Sequence, residues 1–441
     1  MTERIALERM SYGPAAVGRR ADGKTVFVEG AAPGDVVEAE IVEEKPSFAR
    51  ARVASILEAS PMRADAGRGC LALCGGCPWA HLSYEAQLEA KRANVADALV
   101  RTAHLDAARV EGLVASCAPS KRTWGYRNKL ELGACTGENG RFMLGFYREG
   151  THDLETPDSC PLAHKNIARA PKALRGALRF AQGAQDLGIF RVGVRGSVRT
   201  NDVEVALWTP PGPFPRTHVA GMVKSALKAT SVVRVLADPG KARAIKGVEA
   251  LEGRGWWEEQ VGGARLVATA PSFFQVNTAQ AECLVADVLE GLGGEDALAG
   301  ALVADLYAGA GTFSVPLALA GADVMAVESA GTAVRDLRRN AERNGADIEV
   351  IGGDAARELP EMGELDALVV DPPRAGLADG VVESIADAAP ERVAYVSCDP
   401  ATWARDVARF ERSGYRLARV QPVDLFPQTY HVEVSSTFVR A

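Results

Sequence analysis

The sequence lacks any uncharged apolar run of about 18 residues, the length that a membrane-spanning helix needs. The segment MTERIALERMSYG also lacks the apolar run of a signal peptide. No internal repeat and no low-complexity linker is present. We therefore expect a cytoplasmic protein with no membrane partner. In such a protein, eight cysteines are typical of metal binding or catalysis and not of a disulfide framework.

Length and composition bound the domain organisation. A chain of 441 residues, 47% of them hydrophobic, is long enough for several domains with substantial cores. We predict a small N-terminal β-barrel over residues 1–58 and a mixed α+β middle domain with a cysteine-rich metal site over residues 59–265. A doubly wound α/β domain would follow over residues 266–441. Nothing in the sequence requires an oligomer, so we expect a monomer.

The net charge of −7 is unevenly distributed along the chain. Residues 59–265 carry 29 basic and 20 acidic side chains, whereas residues 266–441 carry 13 basic and 27 acidic ones. A basic middle joined to an acidic end favours contact between the middle and a polyanion. Two differently solvated surfaces would explain the charge alone equally well.

Two local patterns precede residue 101. The runs IALERMSYG, KTVFVEG, VVEAEIVEE and FARARVASIL, separated by glycine and proline, predict the short strands of a small all-β barrel. Such barrels commonly bind single-stranded nucleic acid, although the fold does not dictate the function. The segment SYEAQLEAKRANVADALV predicts a helix capped by Ser83, with Gln87 and Lys91 on its polar side.

From about residue 266, apolar strands alternate with amphipathic helices. The strands are ALVADLY, DVMAVES, IEVIGGD, LDALVVD and RVAYVSCD. This alternation predicts a doubly wound parallel sheet. Two final strands, near RLARVQPVDLF and HVEVSSTFVR, have no helix between them, and we expect them to close the sheet as an antiparallel hairpin.

The first strand–helix turn of this sheet, DLYAGAGTFS, is the expected ligand site. Gly309 and Gly311 would let the backbone approach a ligand closely. Ser314 stands where the dinucleotide fingerprint has its third glycine, which argues against a pyrophosphate. Glu328 ends the next strand, where an acid can bind ribose hydroxyls, and Asp354 ends the third. A turn followed by two acids favours a cationic nucleoside ligand such as S-adenosylmethionine.

Cys398 lies at the end of the strand VAYVS, directly before a helix start at Asp399-Pro400. We expect the helix dipole to lower the pKa of its thiol. The preceding loop, DPPRAG, is similar to loops of enzymes that methylate exocyclic amines, yet those enzymes need no nucleophile. Methylation at C5 of uracil does need one, because C5 cannot attack a methyl sulfonium until a thiolate adds at C6. It also needs a base that removes the C5 proton, and Glu433 in QTYHVEVSS is the candidate. The alternative for Cys398 is a small buried hydrophobic residue without a catalytic role, and the alternative for Glu433 is an exposed strand residue.

The chain resembles the RNA uracil-5 methyltransferases, S-adenosylmethionine-dependent class I enzymes that modify ribosomal and transfer RNA. The motifs SFFQVN, DLYAGAGTFS, DPPRAGL, SCDP and HVE occur in the family's order, and YRNK also matches. The N-terminal segment resembles a TRAM domain, including FVEGAAPGD. The resemblance spans almost the whole chain. It implies a TRAM/OB-like barrel, a Rossmann-like methyltransferase sheet, and 5-methyluridine as the product.

The resemblance also implies roles for particular residues. Cys398 would be the nucleophile and Glu433 the proton-abstracting base. Phe273 would stack on the target base, with core packing as its alternative. The residues expected to contact S-adenosylmethionine, or to lie beside it, are Gln275, Tyr307, Gly309, Gly311, Thr312, Glu328, Asp354 and Asp371.

A second group of cysteines consists of Cys70, Cys74 and Cys77 in CLALCGGC, with Cys160 in DSCPL. Four thiolates can hold a [4Fe–4S] cluster or a tetrahedral zinc, and the spacing hardly separates the two. Three close cysteines and one distant one resemble the iron–sulfur members of the family, which implies a [4Fe–4S] cluster. Those members more often have five residues between the first two cysteines, whereas this chain has three.

The segment KRTWGYRNK interleaves four cations with two aromatic residues. This pattern favours a surface that contacts RNA phosphates and stacks on bases, with Arg127 and Lys129 among its contacts. The alternative is a turn with half-buried aromatics and solvated cations.

The cysteine group favours 23S ribosomal RNA as the substrate. The closest alternative is the same reaction on the T-loop uridine of transfer RNA. Formation of 5-methylcytosine is a further alternative, but its enzymes tend to carry a cysteine in the fourth-strand loop, and DPPRAG has none. A non-catalytic RNA-binding metal protein is the remaining one, and the pairing of Cys398 with Glu433 argues against it.

Overall fold

The computed structural model describes residues 2–64, 73–137, 140–183 and 185–441. Five strands at its beginning form a closed barrel: β1 (Thr2–Met10), β2 (Ala15–Arg19), β3 (Thr25–Glu29), β4 (Val36–Glu44) and β5 (Phe48–Glu58). Their order around the barrel is β1-β2-β3-β5-β4, and only β3 and β5 run parallel. Buried and exposed residues alternate along the first half of β4, so one face of that strand fills the barrel core. The predicted small barrel is confirmed.

Two helices follow, α1 (Tyr84–Arg101) and α2 (Ala107–Leu113). Ser83 caps α1 as predicted, since its Oγ accepts a hydrogen bond from the backbone N–H of Ala86. Gln87 and Lys91, expected on a solvated polar side, are instead completely buried. The polar stripe is buried because it binds the loop before the last strand: Lys91 Nζ donates to the carboxylate of Asp424.

The middle of the chain folds around a seven-stranded sheet. Its strands are β6 (Lys129–Thr136), β7 (Phe142–Tyr147), β8 (Leu154–Glu155), β9 (Arg191–Gly196), β10 (Val203–Thr209), β11 (Ser231–Leu236) and β12 (Gly247–Gly253). Their order across the sheet is β12-β11-β10-β9-β6-β7-β8. Helices α3 (Ala170–Gln182) and α4 (Arg216–Leu227) pack together on one face, where they form the core of this region. A hairpin of β13 (Trp257–Val261) and β14 (Ala264–Ala268) then leads into the last part of the chain.

The last part of the chain contains a second seven-stranded sheet with helices on its faces. Its strands are β15 (Leu302–Leu306), β16 (Asp323–Glu328), β17 (Ile348–Gly352), β18 (Ala367–Val370), β19 (Arg392–Ser397), β20 (Tyr415–Val423) and β21 (Glu433–Arg440). The helices are α5 (Thr278–Gly291), α6 (Gly294–Leu298), α7 (Ser314–Leu319), α8 (Gly331–Asn344), α9 (Ala355–Glu358), α10 (Val381–Ala388) and α11 (Pro400–Arg412), with a 3₁₀ turn at Leu359–Glu361.

The strand order of this second sheet is β17-β16-β15-β18-β19-β21-β20. The first five strands are parallel, whereas β21 is antiparallel to both of its neighbours. The doubly wound sheet and its closing antiparallel hairpin are confirmed. Because the chain order reverses between β15 and β18, a crevice opens beyond their carboxyl ends, which is where such sheets bind ligands.

None of the helices among the described residues is both long and apolar enough to cross a lipid bilayer.

Candidate active site

Cys398 and Glu433 are brought together by the register of two antiparallel strands. Ser397, the last residue of β19, lies opposite Val434 of β21. Cys398 follows Ser397 and Glu433 precedes Val434, so the two side chains belong to facing positions at the same edge of the sheet. Glu433 is only 3% exposed, which excludes the alternative of an exposed strand residue. Cys398 is half-buried.

The electrostatic environment of this pair opposes ionisation. Burial raises the pKa of Cys398 to about 11, with further contributions from Glu433 and Asp371. The expected lowering by the helix dipole is therefore wrong. Asp399, whose carboxylate caps α11 by accepting hydrogen bonds from the N–H groups of residues 401 and 402, also contributes to the rise. Burial and the neighbouring Asp371 also raise the pKa of Glu433 well above its ordinary value, while Arg374 opposes the rise.

Two further carboxyl groups lie at the ends of the adjacent strands. Asp305 on β15 is completely buried and Asp371 follows β18; burial raises the pKa of each to about 7. Asp305 Oδ2 accepts a hydrogen bond from Ser314 Oγ. Its other oxygen, Oδ1, is buried with no hydrogen-bond partner. An unpaired buried acceptor is costly, and the cost falls when the carboxyl group is protonated, a form that its raised pKa favours.

The turn after β15 is shaped for a close approach of a ligand. Tyr307, Gly309 and Gly311 all have positive φ angles, of 65°, 59° and 91°. A Cβ atom at Gly311 would stand 2.6 Å from a side-chain carbon of Leu337, so only glycine fits there. The space beside Gly309 is open. Thr312, in the same turn, is half-buried.

The acidic residues predicted beside this turn are in different settings. Glu328, at the end of β16, accepts a hydrogen bond from Gly309 N at 2.9 Å. The carboxylate therefore fixes the turn and still presents acceptor positions to the crevice. Asp354 is exposed and caps the short helix α9 through Ala356 N. Both residues border the carboxyl edge of the sheet, as the sequence pattern predicts.

The loop between β14 and α5 presents Phe273 and Gln275. Phe273 is 64% exposed, so the alternative of core packing is wrong. Gln275 is buried, and its main-chain carbonyl accepts a hydrogen bond from Asn128 Nδ2 at 2.9 Å. Both residues line a cavity of about 450 Å³, and Arg127 and Arg374 line it too. The charge of Arg374 acts on Cys398 and Glu433, so this cavity adjoins the pair.

Sequence reasoning missed the residues that hold this loop. The guanidinium of Arg195, a buried residue of the middle sheet, donates to the carbonyl groups of Thr269 and Ser272. The carboxylate of Asp336, on α8, accepts hydrogen bonds from the same two residues. Neither residue belongs to a motif, because each one acts through tertiary contacts that no local pattern reveals.

Comparisons with known proteins agree with this geometry. The profile of the family described as tRNA (Uracil-5-)-methyltransferase matches residues 265–440, and that of the TRAM domain matches residues 2–54. An RNA methyltransferase of Gloeobacter violaceus is 34% identical over 100% of this chain and 97% of its own length. Another, from Halalkalibacterium halodurans, is 33% identical over 97% of this chain and 95% of its own length. The chain belongs to the RNA uracil-5 methyltransferase family.

The methyltransferase also has a similar relative of known structure. This is the tRNA (uracil-54, C5)-methyltransferase of Pyrococcus abyssi in complex with S-adenosyl-L-homocysteine. The two chains superpose with a TM-score of 0.75 at 26% identity, and 99% of each chain is covered. The predicted resemblance to RNA uracil-5 methyltransferases with a TRAM domain is therefore confirmed, and so is the prediction of an enzyme.

The crevice of the methyltransferase fits S-adenosylmethionine. The open space beside Gly309 in the glycine turn leaves room for it. The carboxylate of Glu328 lies where ribose hydroxyls bind in doubly wound folds. When bound, S-adenosylmethionine would supply an activated methyl group on a sulfonium ion.

The cysteine group of the methyltransferase is described only in part. Cys74, Cys77 and Cys160 line the same cavity as Phe273, whereas Cys70 lies outside the described residues. Burial raises the pKa of Cys160. Within the described ranges, no three His, Cys, Asp or Glu side chains are grouped closely enough to hold a metal ion. The predicted metal site is thus not demonstrated.

The two cations predicted to contact RNA differ in availability. Arg127 borders the cavity, and its Nε donates to the carbonyl of Lys129 at 3.0 Å. Lys129 Nζ pairs with Glu131 at 2.8 Å, and burial lowers the pKa of this lysine to about 8. Tyr126 is buried and its hydroxyl donates to the carbonyl of Pro427. Part of KRTWGYRNK is therefore structural, and Arg127 is the better candidate for contact with RNA.

Proposed function

We propose that the protein transfers a methyl group from S-adenosylmethionine to C5 of a uridine in RNA, through a covalent adduct between Cys398 and C6 of the base. The observation that carries this proposal is the facing position of Cys398 and Glu433 across β19 and β21. A thiol and a carboxyl group at one edge of the sheet are the nucleophile and the base that the chemistry requires.

The reaction divides between these two residues. The Cys398 thiol first loses its proton to water, and the thiolate then adds to C6. The electrons of the C5–C6 double bond move to C5 and make it a nucleophilic, enolate-like carbon. C5 then bonds to the methyl carbon as the bond between that carbon and the sulfonium sulfur breaks, and S-adenosylhomocysteine leaves. The Glu433 carboxylate then removes the C5 proton, the C5–C6 double bond re-forms, and the C6–S bond breaks to release the thiolate. Glu433 must be ionised for this last step, and Arg374 favours that form.

The remaining residues would orient the reactants. Gln275, Tyr307, Glu328 and Asp371 would bind S-adenosylmethionine, with Gly309, Gly311, Thr312 and Asp354 beside it. The exposed ring of Phe273 could stack on a base that has left its helix, since C5 is hard to reach inside a duplex. Arg127 would contact a phosphate.

The leading substrate is a uridine of 23S ribosomal RNA. Its support is the cysteine set of the sequence, because such a set is associated with that branch of the family. Three members of the set, Cys74, Cys77 and Cys160, line one cavity. A transfer RNA uridine is the second candidate. It is favoured by the full-length similarity to the Pyrococcus abyssi enzyme, which acts on uracil 54 of transfer RNA.

One experiment tests both the reaction and the substrate. The purified enzyme is incubated with unmodified total RNA and labelled S-adenosylmethionine, and the RNA is separated by size before digestion to nucleosides. We expect labelled 5-methyluridine in the large ribosomal RNA. The same nucleoside in the transfer RNA fraction would leave the reaction intact and contradict the substrate. The absence of labelled 5-methyluridine from both fractions would contradict the proposed function.

We also propose that the cysteine group holds a [4Fe–4S] cluster, with Cys70 as the fourth ligand. The chemistry of the donors supports this, since thiolates suit iron–sulfur clusters, although they also suit zinc. No step of the reaction needs a redox change, so the cluster would shape the RNA-binding surface. Anaerobically purified protein should contain iron and absorb visible light. Stoichiometric zinc, or no metal, would contradict the proposal.

A further inference from the structure

The turn between β1 and β2 of the TRAM barrel contacts the candidate active site. Ser11 Oγ donates a hydrogen bond to the carbonyl of Ala15 at 2.6 Å, which closes the turn. Trp79 Nε1 donates to the carbonyl of Gly13 at 2.9 Å. Tyr12 lies between these two anchored positions, so its backbone is fixed on both sides.

The side chain of Tyr12 contacts the catalytic domain. It packs against the core that contains β18 and β19, not against the core of its own barrel. Conversely, Tyr430, which precedes β21, packs against the barrel core. The two rings meet edge to face, with centroids 5.7 Å apart and planes at 82°. Each of these two tyrosines therefore packs on the unit to which it does not belong, close to Glu433.

The Tyr12 hydroxyl reaches the main chain of the candidate nucleophile. It donates a hydrogen bond to the carbonyl of Cys398 at 3.2 Å. Cys398 follows β19 and precedes the N-cap of α11, so it lies outside both regular elements. Burial, together with the charges of Asp399, Cys398 and Glu433, raises the pKa of Tyr12 far above its ordinary value. The hydroxyl thus remains a donor at any working pH.

We propose that Tyr12 is a positioning residue: its hydroxyl fixes the main chain of Cys398 so that the thiol faces Glu433, and this placement depends on the docked barrel. The inference rests on the proposed function, since it takes Cys398 as the nucleophile. The TRAM domain then acts in formation of the C6–S bond and not only in binding RNA.

The test compares Tyr12→Phe with the wild-type enzyme in single turnovers. The RNA identified by the labelling experiment is transcribed with 5-fluorouridine, because Glu433 cannot remove fluorine as it removes a proton, so the methylated adduct accumulates. At saturating RNA and S-adenosylmethionine, we expect the variant to form the adduct roughly three- to tenfold more slowly, as the loss of one hydrogen bond predicts. The dissociation constants of both ligands should change less than about twofold.

Tyr415→Phe is the matched control. The Tyr415 hydroxyl donates to the carbonyl of Pro390 at 2.9 Å, at the opposite end of β19. The two variants therefore lose the same kind of hydrogen bond, but only Tyr12 lies beside Cys398. We expect Tyr415→Phe to form the adduct at the wild-type rate, even if both variants lower the melting temperature.

The outcomes separate this inference from the function on which it rests. A wild-type rate for Tyr12→Phe would overturn the positioning role and leave the methylation proposal standing. An equal slowing of both variants would also overturn the role, because it would indicate general destabilisation. If the wild-type enzyme forms no adduct with any RNA, the proposed function itself fails and the inference with it.

Discussion

Lys91 Nζ donates to the carboxylate of Asp424, and both side chains are completely buried. The pair joins α1 to the loop that leads into β21, and Lys91 also donates to the carbonyl of Phe426 at 3.0 Å. Gln87 binds the same loop, since its Oε1 accepts from Gln428 N at 2.8 Å. A polar stripe of α1 thus holds the segment that places Glu433.

Replacing Lys91 by methionine should therefore destabilise the protein strongly. The substitution leaves the Asp424 carboxylate buried without its cation, which typically costs about 3–5 kcal/mol. Arg4→Met is the control, because its partner Glu58 and Arg4 itself are both exposed, and such pairs contribute about 0–1 kcal/mol. Thermal unfolding followed by circular dichroism measures both. Similar melting temperatures for the two variants would contradict the assigned role of the buried pair.

Cys398→Ala should abolish both methylation and adduct formation. The thiol is the atom that bonds to C6, and no other cysteine is placed opposite Glu433 in the described part of the chain. S-Adenosylmethionine binding should survive, because the crevice beyond β15 is unchanged. Cys135→Ala, at an exposed cysteine of the middle sheet, should keep wild-type activity. Methyl transfer by Cys398→Ala would contradict the covalent mechanism.

Glu433→Gln should trap the reaction after methyl transfer. The amide cannot take the C5 proton, so the C6–S bond does not break and the enzyme stays attached to methylated RNA. A denaturing gel would show a slowly migrating band that carries both the RNA and the labelled methyl group. Free turnover by this variant would mean that another group is the base. Glutamine keeps the shape of the side chain, so the variant also removes a buried acid without leaving a cavity.

Much of this fold could be predicted from the sequence, because buried parallel strands are short continuous apolar runs and the helices between them are amphipathic. The pairing of Cys398 with Glu433 could be predicted on other grounds, namely the need of C5 methylation for a nucleophile and a base, and the resemblance to the family. The burial of Lys91 could not, because a lysine on a helix reads as solvated until its partner, more than 300 residues later, is known. The hydrogen bond from Tyr12 to Cys398 depends on how two domains dock, and local patterns carry no such information.

The contribution of Asp305 to the stability of the ligand-free enzyme should fall as the pH rises from about 4 to about 7. Burial raises the pKa of Asp305 from its ordinary value of 3.8 to about 7, so the folded state binds this proton more tightly than the unfolded state does. The unfolded chain therefore loses the proton first, and the free energy of unfolding falls by about 1.4 kcal/mol per pH unit for each such group. Asp305→Asn should lower the slope of melting temperature against pH. An unchanged slope would contradict the assignment.

Arg127→Ala should weaken RNA binding more than Lys129→Ala does. Arg127 borders the cavity beside Phe273, whereas Lys129 is already paired with Glu131 and is therefore less available to a phosphate. Removing one cation that binds a phosphate should also lower the slope of log affinity against log salt concentration by about 0.7–0.9. Filter binding over a range of salt concentrations measures both quantities. Lys129→Ala leaves Glu131 in the cavity wall with Arg191 as its remaining partner, so Glu131→Gln added to Lys129→Ala should restore any affinity that is lost through that acid. The prediction is contradicted if Lys129→Ala binds RNA as weakly as Arg127→Ala and the added Glu131→Gln does not raise the affinity. That result would mean that Lys129 binds RNA directly and that its ion pair opens when RNA binds.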